Sequence, residues 1–344
     1  MHKETKQRAS AGRVRRICTG AVLVAGIWLV GSAAVAQTWI VGTPVPKRNI
    51  MATFIFQLQK GVKDRTGGKM EVRYKHDFNE QRIVDQMQRG RLQMAYVSAT
   101  GVGVAVPEAA VLNIPFLWKS AEERNYVTDN HVVPLLGQIM EKNRLKLVRF
   151  GEAGWTSFYC KNDKCTDPAV FKGMKVRVSP NAASRAFWGA LGVNGVTLPL
   201  TETWPALQTG VVNAGDLTFG FYLVTPASKI APHYFFSRHS HQPAMFLANL
   251  EQWNALSKAN KDAVLASLPT TDYMRQAIIN DNKPKEKAFL AKGGKTHHLS
   301  EAQLNKFRAL VLPRHKALID GYGGRAAELY AVIDKAKKAF AAKK

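Results

Sequence analysis

Cysteine and acidic residues are scarce in this sequence. Its 344 residues include three cysteines, too few for a disulfide-dense scaffold or for a protein with several zinc sites. There are 25 acidic residues against 49 basic ones, a formal charge of +24. Glycine and proline, at 26 and 15, are near average, and 46% of the residues are hydrophobic. This globular composition excludes a chain disordered throughout, a collagen and a coiled coil.

The common motifs of catalytic and cofactor sites are missing. Gly101-Val102-Gly103 lacks the third glycine of a dinucleotide-binding loop, and Gly294-Lys295-Thr296 has Phe289 where a phosphate-binding loop needs its first glycine. Neither G-x-S-x-G nor H-E-x-x-H occurs in the chain. The sequence thus predicts no enzyme and no cofactor.

Two short histidine clusters, His239-Ser240-His241 and His297-His298, are the remaining candidates for metal ligands. Neither cluster has an acid or a thiol nearby at the spacing that metal sites use. Histidines on exposed loops are the simpler interpretation of both, so the sequence predicts no metal site.

The first 36 residues have the three parts of a secretory signal peptide. Residues 1–16 carry six basic residues and one acid, Ile17–Val30 is a short apolar run, and Ala34-Val35-Ala36 is a typical cleavage site. We expect cleavage after Ala36 and an exported chain; an uncleaved membrane anchor is the alternative. Arg15-Arg16 leaves twin-arginine export open beside the general secretory route. Beyond this leader no apolar run is long enough to cross a membrane.

Export changes the interpretation of the cysteines, because Cys18 leaves with the leader. Cys160 and Cys165 then form an even pair in an oxidising compartment. The residues between them, with Asn162-Asp163 at the centre, are typical of a turn, and a disulfide could close this hairpin. Two free thiols are the alternative.

Strand and helix patterns alternate after the leader, which predicts a parallel or mixed α/β sheet. The predicted strands are 39–42, 69–74, 92–97, 145–150 and 175–178. The predicted helices are 51–65, 80–89, 182–191, 203–209, 256–268, 272–290, 301–319 and 324–342. From residue 253 onward the chain is therefore expected to be mostly helical.

Three stretches together resemble one protein family. They are TGGKMEVRYKHDFNEQRIVDQMQRGRLQMAYVSATGV (66–102), PEAAVLNIPFLWKSAEE (107–123) and FKGMKVRVSPNAASRAFWGALGVNGVTLPLTETWPALQTGVVNAGD (171–216). In this order they resemble the solute-binding proteins of tripartite ATP-independent periplasmic (TRAP) transporters, the DctP family. The resemblance extends over essentially the whole chain after the leader.

The resemblance implies an α/β fold of the periplasmic binding protein class, type II-like, with two lobes, a hinge and a helical C-terminal region. One lobe would comprise residues 37–154 and about 243–282, and the other residues 155–242 and about 283–344. A ligand would lie in the cleft between the lobes, which close over it. The closed protein would deliver an organic acid to the small and large permease subunits of the transporter.

Arg177, in Lys175-Val176-Arg177-Val178, matches the arginine that pairs with the substrate carboxylate in that family. On a strand its side chain must point opposite to those of Val176 and Val178. A guanidinium matches a carboxylate bidentately and keeps its proton. The resemblance therefore implies that Arg177 binds the ligand; a structural salt bridge is the alternative.

Other residues fall where members of the family line the cleft. They are Pro44 in the first strand-to-helix loop, Glu80 at the start of its helix, Ser98 just past a strand, Leu200 before Thr201-Glu202, and Asp216. For each of them the alternative is a capping, loop or core role.

Two departures from the family pattern affect the pocket. Leu217 stands where the family has an asparagine that helps to hold the carboxylate, and Gly154–Tyr159 lacks the arginine that many relatives carry. Trp155 is then a candidate for stacking on the ligand, with a core role as the alternative. Other residues that could form an apolar wall are Trp188, Trp204, Phe219 and Tyr222. These features favour a monocarboxylate with an apolar or ring-bearing body over a C4-dicarboxylate.

Without its leader the chain keeps a formal charge of +19. Such a charge favours encounters with anionic substrates, or with acidic surfaces of the permease or membrane. The basic residues are spread along the chain without a nucleic-acid-binding motif, so no nucleic acid partner is expected. We expect a periplasmic monomer. The alternatives are a binding component of another importer or of a sensor system, and an exported enzyme.

Overall fold

The computed structural model describes residues 37–77 and 79–343. The signal peptide predicted over residues 1–36 lies outside the described residues. No helix in the described part of the chain is both long and apolar enough to span a membrane.

The described strands form two mixed sheets. They are β1 (Gln37–Thr43), β2 (Met70–His76), β3 (Met94–Ser98), β4 (Leu145–Phe150), β5 (Gly154–Cys160), β6 (Lys175–Val178), β7 (Asn194–Thr197), β8 (Ala214–Thr218), β9 (His233–Gln242), β10 (Ala244–Asn249) and β11 (Lys295–His298). Sheet A has the order β2-β1-β3-β10-β4, with only β10 antiparallel to its neighbours. Sheet B has the order β11-β9-β5-β8-β6-β7, with β5 antiparallel to both of its neighbours.

Helices connect most of these strands. They are α1 (Ile50–Arg65), α2 (Glu80–Gln88), α3 (Ala99–Val102), α4 (Ala121–Val127), α5 (Val133–Lys142), α6 (Ala182–Ala190), α7 (Leu200–Gln208), α8 (Phe219–Leu223), α9 (Ala227–Ile230), α10 (Leu250–Ala255), α11 (Lys258–Ser267), α12 (Thr271–Ala291), α13 (Glu301–Val311), α14 (His315–Tyr322) and α15 (Ala326–Ala341). Asn49, Asn79 and Asn181 cap α1, α2 and α6, since each side-chain oxygen accepts a hydrogen bond from a backbone N–H of the first turn.

Helices cover both faces of each sheet and bury its apolar residues. One face of sheet A packs against α2, α5, α14 and α15, and the other against α1, α11 and α12. One face of sheet B packs against α6 and α13, and the other against α7, α8 and Phe289 of α12. This arrangement confirms the predicted two-lobed α/β fold, with α12 in contact with both cores.

The chain passes between the sheets at two adjoining points. β4 belongs to sheet A and β5 to sheet B, and Gly154 at the start of β5 has a φ of 105°, a conformation that favours glycine. β9 ends in sheet B at Gln242, and after Pro243 the chain enters sheet A as β10. Gly154 and Gln242 are partners in the β5–β9 ladder, so the two crossings lie side by side.

The last helices correct one expected lobe boundary. α13 remains with sheet B, where its Phe307 is fully buried. α14 and α15 return to sheet A, and Leu329 and Ile333 of α15 are fully buried in that core. Residues 315–341 therefore pack with the first lobe, although 283–344 were expected in the second, because the apolar face of α15 is covered by α4 and the sheet A core.

Candidate functional site

A cleft of about 940 Å³ opens between the two sheets. Its lining includes these residues predicted from the sequence: Pro44, Glu80, Ser98, Arg177, Leu200 and Asp216. The first three belong to the sheet A side and the last three to the sheet B side. Both sheets therefore contribute polar groups to one site.

Arg177 lies on β6 and has 3% of its surface exposed. Val176 and Val178 pack in the sheet B core, so the side chain of Arg177 points the other way, to the cleft. Its Nε donates a hydrogen bond to the carbonyl oxygen of Leu198 (3.1 Å) and its Nη1 donates one to Ser179 Oγ. No described residue bonds to Nη2. The guanidinium is thus fixed in position through two of its three nitrogens.

Asp216 is the buried acid beside Arg177. Its Oδ1 lies 3.6 Å from Arg177 Nη1, and its Oδ2 accepts a hydrogen bond from Ser184 Oγ (3.3 Å) and lies 3.6 Å from His239 Nε2. Burial by itself raises the pKa of Asp216, but the contacts with His239 and Arg177 outweigh burial and hold this pKa below its ordinary value. Asp216 is therefore ionised at neutral pH, and a bound anion would share Arg177 with it.

His239 lies on the buried strand β9, beside Asp216 and Arg177, and not on an exposed loop. It is 1% exposed on β9 and stacks on Phe187, with ring centroids 3.8 Å apart. Burial lowers the pKa of His239, so the imidazole is neutral near pH 7. His241, on the same strand, is buried as well. The expectation of exposed loop histidines at 239–241 is wrong because β9 runs through the protein interior.

Glu80 and Ser98 bind each other on the sheet A side of the cleft. Glu80 is the first residue of α2 and Ser98 is the last residue of β3. Glu80 accepts hydrogen bonds from the Ser98 backbone N–H and from Ser98 Oγ, both at 2.8 Å. Burial raises the pKa of Glu80, and the two hydrogen bonds offset that rise only in part. Glu80 and Ser98 thus give the sheet A side of the cleft a polar surface, and Arg177 lines the same cleft from the sheet B side.

Several cleft residues lie outside the sequence predictions. Asn113 Nδ2 donates hydrogen bonds to the carbonyl oxygen of His241 (2.8 Å) and to Gln242 Oε1, and Gln242 Nε2 donates to Thr100 Oγ1 (2.8 Å). Asn113 lies within a stretch that carries the family resemblance, but its residue type does not distinguish a cleft residue from a capping one. Gln242 has no signal in the sequence, since only the crossing from β9 to β10 brings it to the cleft.

Comparison with known families decides what kind of protein has this cleft. A family model described as bacterial extracellular solute-binding protein, family 7 (DctP), matches residues 41–320. This chain belongs to the DctP family. The resemblance to TRAP solute-binding proteins inferred from the sequence motifs is thereby confirmed.

Individual relatives agree with this assignment. A solute-binding protein of Verminephrobacter eiseniae is 23% identical over 292 residues, which cover 84% of this chain and 87% of the relative. A TRAP periplasmic solute-binding protein of Roseobacter denitrificans, solved with bound β-D-glucuronate, has a TM-score of 0.79 at 23% identity and covers 86% of this chain and 99% of its own. A TRAP periplasmic solute-binding protein of Sulfurospirillum deleyianum, solved with bound succinate, has a TM-score of 0.78 at 20% identity. The match covers 87% of this chain and 98% of that protein's chain. These structures share the fold of this chain.

Trp155 does not line the cleft of this DctP-family protein. Its ring packs against the guanidinium of Arg124, 5.2 Å away, and meets His241 edge-on. Thr156, the next residue of β5, lines the cleft instead, because successive strand residues point to opposite faces. The structure thus gives Trp155 the packing role that was the alternative to stacking on a ligand.

The expected aromatic wall is also replaced. The aromatic residues expected to form it pack in the sheet B cores: Trp188, Trp204, Phe219 and Tyr222. Phe187, Phe221 and Leu217 line the cleft instead, together with the predicted Leu200. The cleft of this DctP-family protein therefore combines Arg177 with an apolar lining in which Leu200 is expected and the aromatic residues are not the expected ones.

A disulfide joins Cys160 and Cys165, whose Cα atoms are 6.8 Å apart. It closes the loop that follows β5 and carries Asp163. Cys160 pairs with His233 of β9 in the sheet B ladder, so this loop begins next to the first residue of β9. The disulfide considered from the sequence is confirmed.

Proposed function

We propose that this protein captures an organic acid in the periplasm for a TRAP transporter, with the ligand carboxylate bound by Arg177. The observation that carries the proposal is the guanidinium buried in the cleft and held at Nε and Nη1, with Nη2 left without a described partner. Arginine keeps its charge at all relevant pH values, and its planar nitrogens match a carboxylate. Expulsion of water on closure would strengthen this contact.

We further propose a monocarboxylate with an apolar or ring-bearing body as the ligand. Among the described residues along the cleft, Arg177 is the one buried arginine or lysine; Arg82 is largely exposed and paired with Asp77 at 3.2 Å. A second carboxylate would therefore lack a buried cation of its own and would approach the acidic Glu80. One similar structure holds the monocarboxylate β-D-glucuronate and another holds the dicarboxylate succinate. Membership of the family therefore does not choose between the two ligand classes, and the proposal rests on the charges in this cleft.

A thermal-shift screen of the protein purified from the periplasm tests the ligand class. Glucuronate, other sugar monocarboxylates and aryl monocarboxylates form one panel, and succinate, malate and fumarate form the other. We expect an increase in melting temperature with members of the first panel. Stabilisation by diacids alone would contradict the monocarboxylate proposal and leave the role of Arg177 to be tested separately.

Substitution of Arg177 tests the carboxylate contact. Arg177→Ala is expected to weaken binding of the best acid from the screen by about 2–5 kcal/mol, the usual loss when one partner of a buried charge pair is truncated. Arg177→Lys keeps the charge but loses the planar geometry, so we expect partial recovery. Arg82→Ala is the matched control, because it removes a cleft arginine that has its own partner.

Isothermal titration calorimetry measures these affinities, and circular dichroism checks that each variant is folded. Arg177→Ala leaves Asp216 without its cation, so a folded state must be shown before the affinity is interpreted. An affinity equal to that of the unmodified protein would remove Arg177 from the binding site.

We propose that the ligand is released unchanged. The acid and histidine nearest to Arg177 already have structural partners, since Asp216 accepts from Ser184 and the ring of His239 stacks on Phe187. Proton NMR of the ligand after long incubation with the protein checks this. A new product that is lost with Arg177→Ala would identify an enzyme.

We propose that the two sheets with their helices move as lobes about the crossings at Gly154 and Pro243, and that the closed form docks on the small and large permease subunits. Uptake of the ligand by cells that express this protein with both permease subunits tests delivery.

Export is tested by N-terminal sequencing of the periplasmic protein, which is expected to begin at Gln37 after cleavage of the signal peptide behind Ala36.

A further inference from the structure

Two histidines at the edge of sheet B bring their ring nitrogens together. His233 is the first residue of β9, and His297 lies on β11, the edge strand, two positions beyond the Lys295 that pairs with His233. His233 Nδ1 and His297 Nε2 are 3.1 Å apart, and the two ring planes differ by 15°. Both residues are half-buried, and neither lines the cleft. We propose that this pair binds a divalent transition-metal ion.

The separation of the nitrogens suits a shared metal ion. Two imidazole nitrogens that each lie about 2.1 Å from one ion are roughly 3.0–3.4 Å apart, for coordination angles between about 90° and 110°. The observed 3.1 Å falls within that range. The same contact is that of a hydrogen bond between the two rings, so an ion would replace the shared proton, with both lone pairs turned to the ion and each ring protonated on its other nitrogen.

The surrounding residues hold the two rings in place. The ring of His297 stacks on Phe235, with centroids 4.2 Å apart and planes 10° apart. Parallel pairing of β11 with β9 sets the diagonal position of the two histidines, and Cys160 pairs with His233 on its other side. Sheet register and stacking therefore keep the two ring nitrogens within reach of one ion.

The loop closed by the disulfide carries an acid, Asp163. This loop begins at Cys160, which pairs with His233, so it starts beside the histidine pair. Within residues 37–77 and 79–343, no three His, Cys, Asp or Glu side chains are already grouped at ligand distances. Water, or Asp163 after a movement of this loop, would fill the remaining coordination positions.

The ligand type predicts an order of metal preference. Imidazole nitrogen suits copper, nickel and zinc, whereas magnesium and calcium require oxygen ligands. For a given set of nitrogen ligands divalent copper binds most tightly among the first-row ions. We therefore expect Cu²⁺ to bind more tightly than Ni²⁺ or Zn²⁺, and Mg²⁺ and Ca²⁺ not to bind at this pair.

Calorimetric titration with the chloride salts of these five metals tests the proposal, on the exported protein purified without a polyhistidine tag. We expect one Cu²⁺ ion per chain. His233→Gln and His297→Gln are each expected to weaken Cu²⁺ binding about tenfold or more, since even groups outside the coordination shell change metal affinity by that factor. His298→Gln is the matched control: it removes the next histidine of β11, which lies near Glu286 instead.

Electron paramagnetic resonance of the copper complex provides a second measurement that does not depend on affinity. Nitrogen hyperfine coupling from two imidazoles is expected, and from one imidazole in each of the two variants. Unchanged affinity in His297→Gln, or an equal loss in His298→Gln, would overturn the proposal. Arg177→Ala should bind Cu²⁺ as the unmodified protein does, so failure of the metal site and failure of the proposed cleft function are distinguishable.

Discussion

Glu152 is a carboxylate buried between β4 and β5, where the chain leaves sheet A. Arg124 Nη2 lies 3.2 Å from its Oε2, His241 Nε2 lies 2.7 Å from its Oε1, and the Gly154 backbone N–H donates to Oε1 at 2.7 Å. Burial alone would raise the pKa of Glu152, but the contacts with His241 and Arg124 outweigh it and lower the pKa to about 2. Burial and the charge of Arg124 lower the pKa of His241 to about 4.

The neutral His241 predicts a pH dependence of stability. An exposed histidine in the unfolded chain has a pKa of about 6.5, so the unfolded state binds a proton that the folded state does not between about pH 6.5 and 4. The free energy of unfolding should therefore fall as the pH falls through this window, by about 1.4 kcal/mol per pH unit for this one proton. His241→Gln should make the slope shallower by that amount in urea denaturation across pH 4–7.

The control for this prediction is His298→Gln on the surface of sheet B, which should keep the slope of the unmodified protein. His239 and His315 also have lowered pKa values through burial, so the slope should be reduced by His241→Gln and not abolished. An identical slope in both variants would show that His241 takes up a proton equally in the folded and unfolded states.

At the scale of elements, the contact of α2 with α3 determines where Glu80 stands in the cleft. A Cβ added to Gly101 of α3 would lie 2.5 Å from Glu80 Cβ and 2.8 Å from Glu80 Oε2. The closest atom is the Cβ of Glu80, which cannot move unless α2 moves as well. Glycine at this position therefore permits the two helices to approach and Glu80 to reach Ser98.

Gly101→Ala is expected to lower the free energy of unfolding by about 1–3 kcal/mol, the usual cost of forcing a group into a packed site. It should also weaken ligand binding, because Glu80 and α2 are displaced together. Urea denaturation and calorimetry measure the two effects. Gly137→Ala on α5 is the control, since its added Cβ meets no atom within 4 Å and should increase the stability by about 0.5–1 kcal/mol. Equal stability changes in the two variants would refute the steric argument.

At the scale of the whole molecule, one exposed arginine links the two halves. Arg48 follows β1 on the sheet A side, and its Nη2 donates a hydrogen bond to the carbonyl oxygen of Val224 at the C-terminal end of α8, on the sheet B side. A cation at the C-terminal end of a helix is favourable there. This bond can exist only while the two halves are close together.

Arg48→Ala is therefore expected to speed ligand release although Arg48 does not line the cleft. One net hydrogen bond is worth about 0.5–1.5 kcal/mol, so the dissociation rate should rise by about two- to tenfold. Stopped-flow measurement with the acid identified in the screen gives this rate. Arg65→Ala is the matched control, because its Nη2 bonds to the Ala266 carbonyl (3.3 Å) within the sheet A half. Equal rates in both variants would exclude a role in closure.

Regular elements at the surface of the cores are predictable because their apolar faces repeat. The periodicity of Phe54, Leu58 and Val62 predicts α1 within one residue of its observed bounds, and alternation predicts β6 with its observed bounds. The strand β10 has no alternation to detect, since all of Ala244–Asn249 is buried. One predicted helix, 301–319, is divided at Leu312–Arg314, where Pro313 removes a backbone donor.

The DctP family was recognisable from the amino-acid sequence through the resemblance of three ordered stretches. The α/β fold class and the place of Arg177 on a strand between two core valines were predictable from patterns that span only a few neighbouring residues. Three contacts between distant residues were visible in the folded protein alone: Trp155 with Arg124, Asp216 with Arg177 across 39 residues, and His233 with His297 across 64 residues. Pairing between distant strands selects which side chains share a face, and local sequence does not encode that pairing.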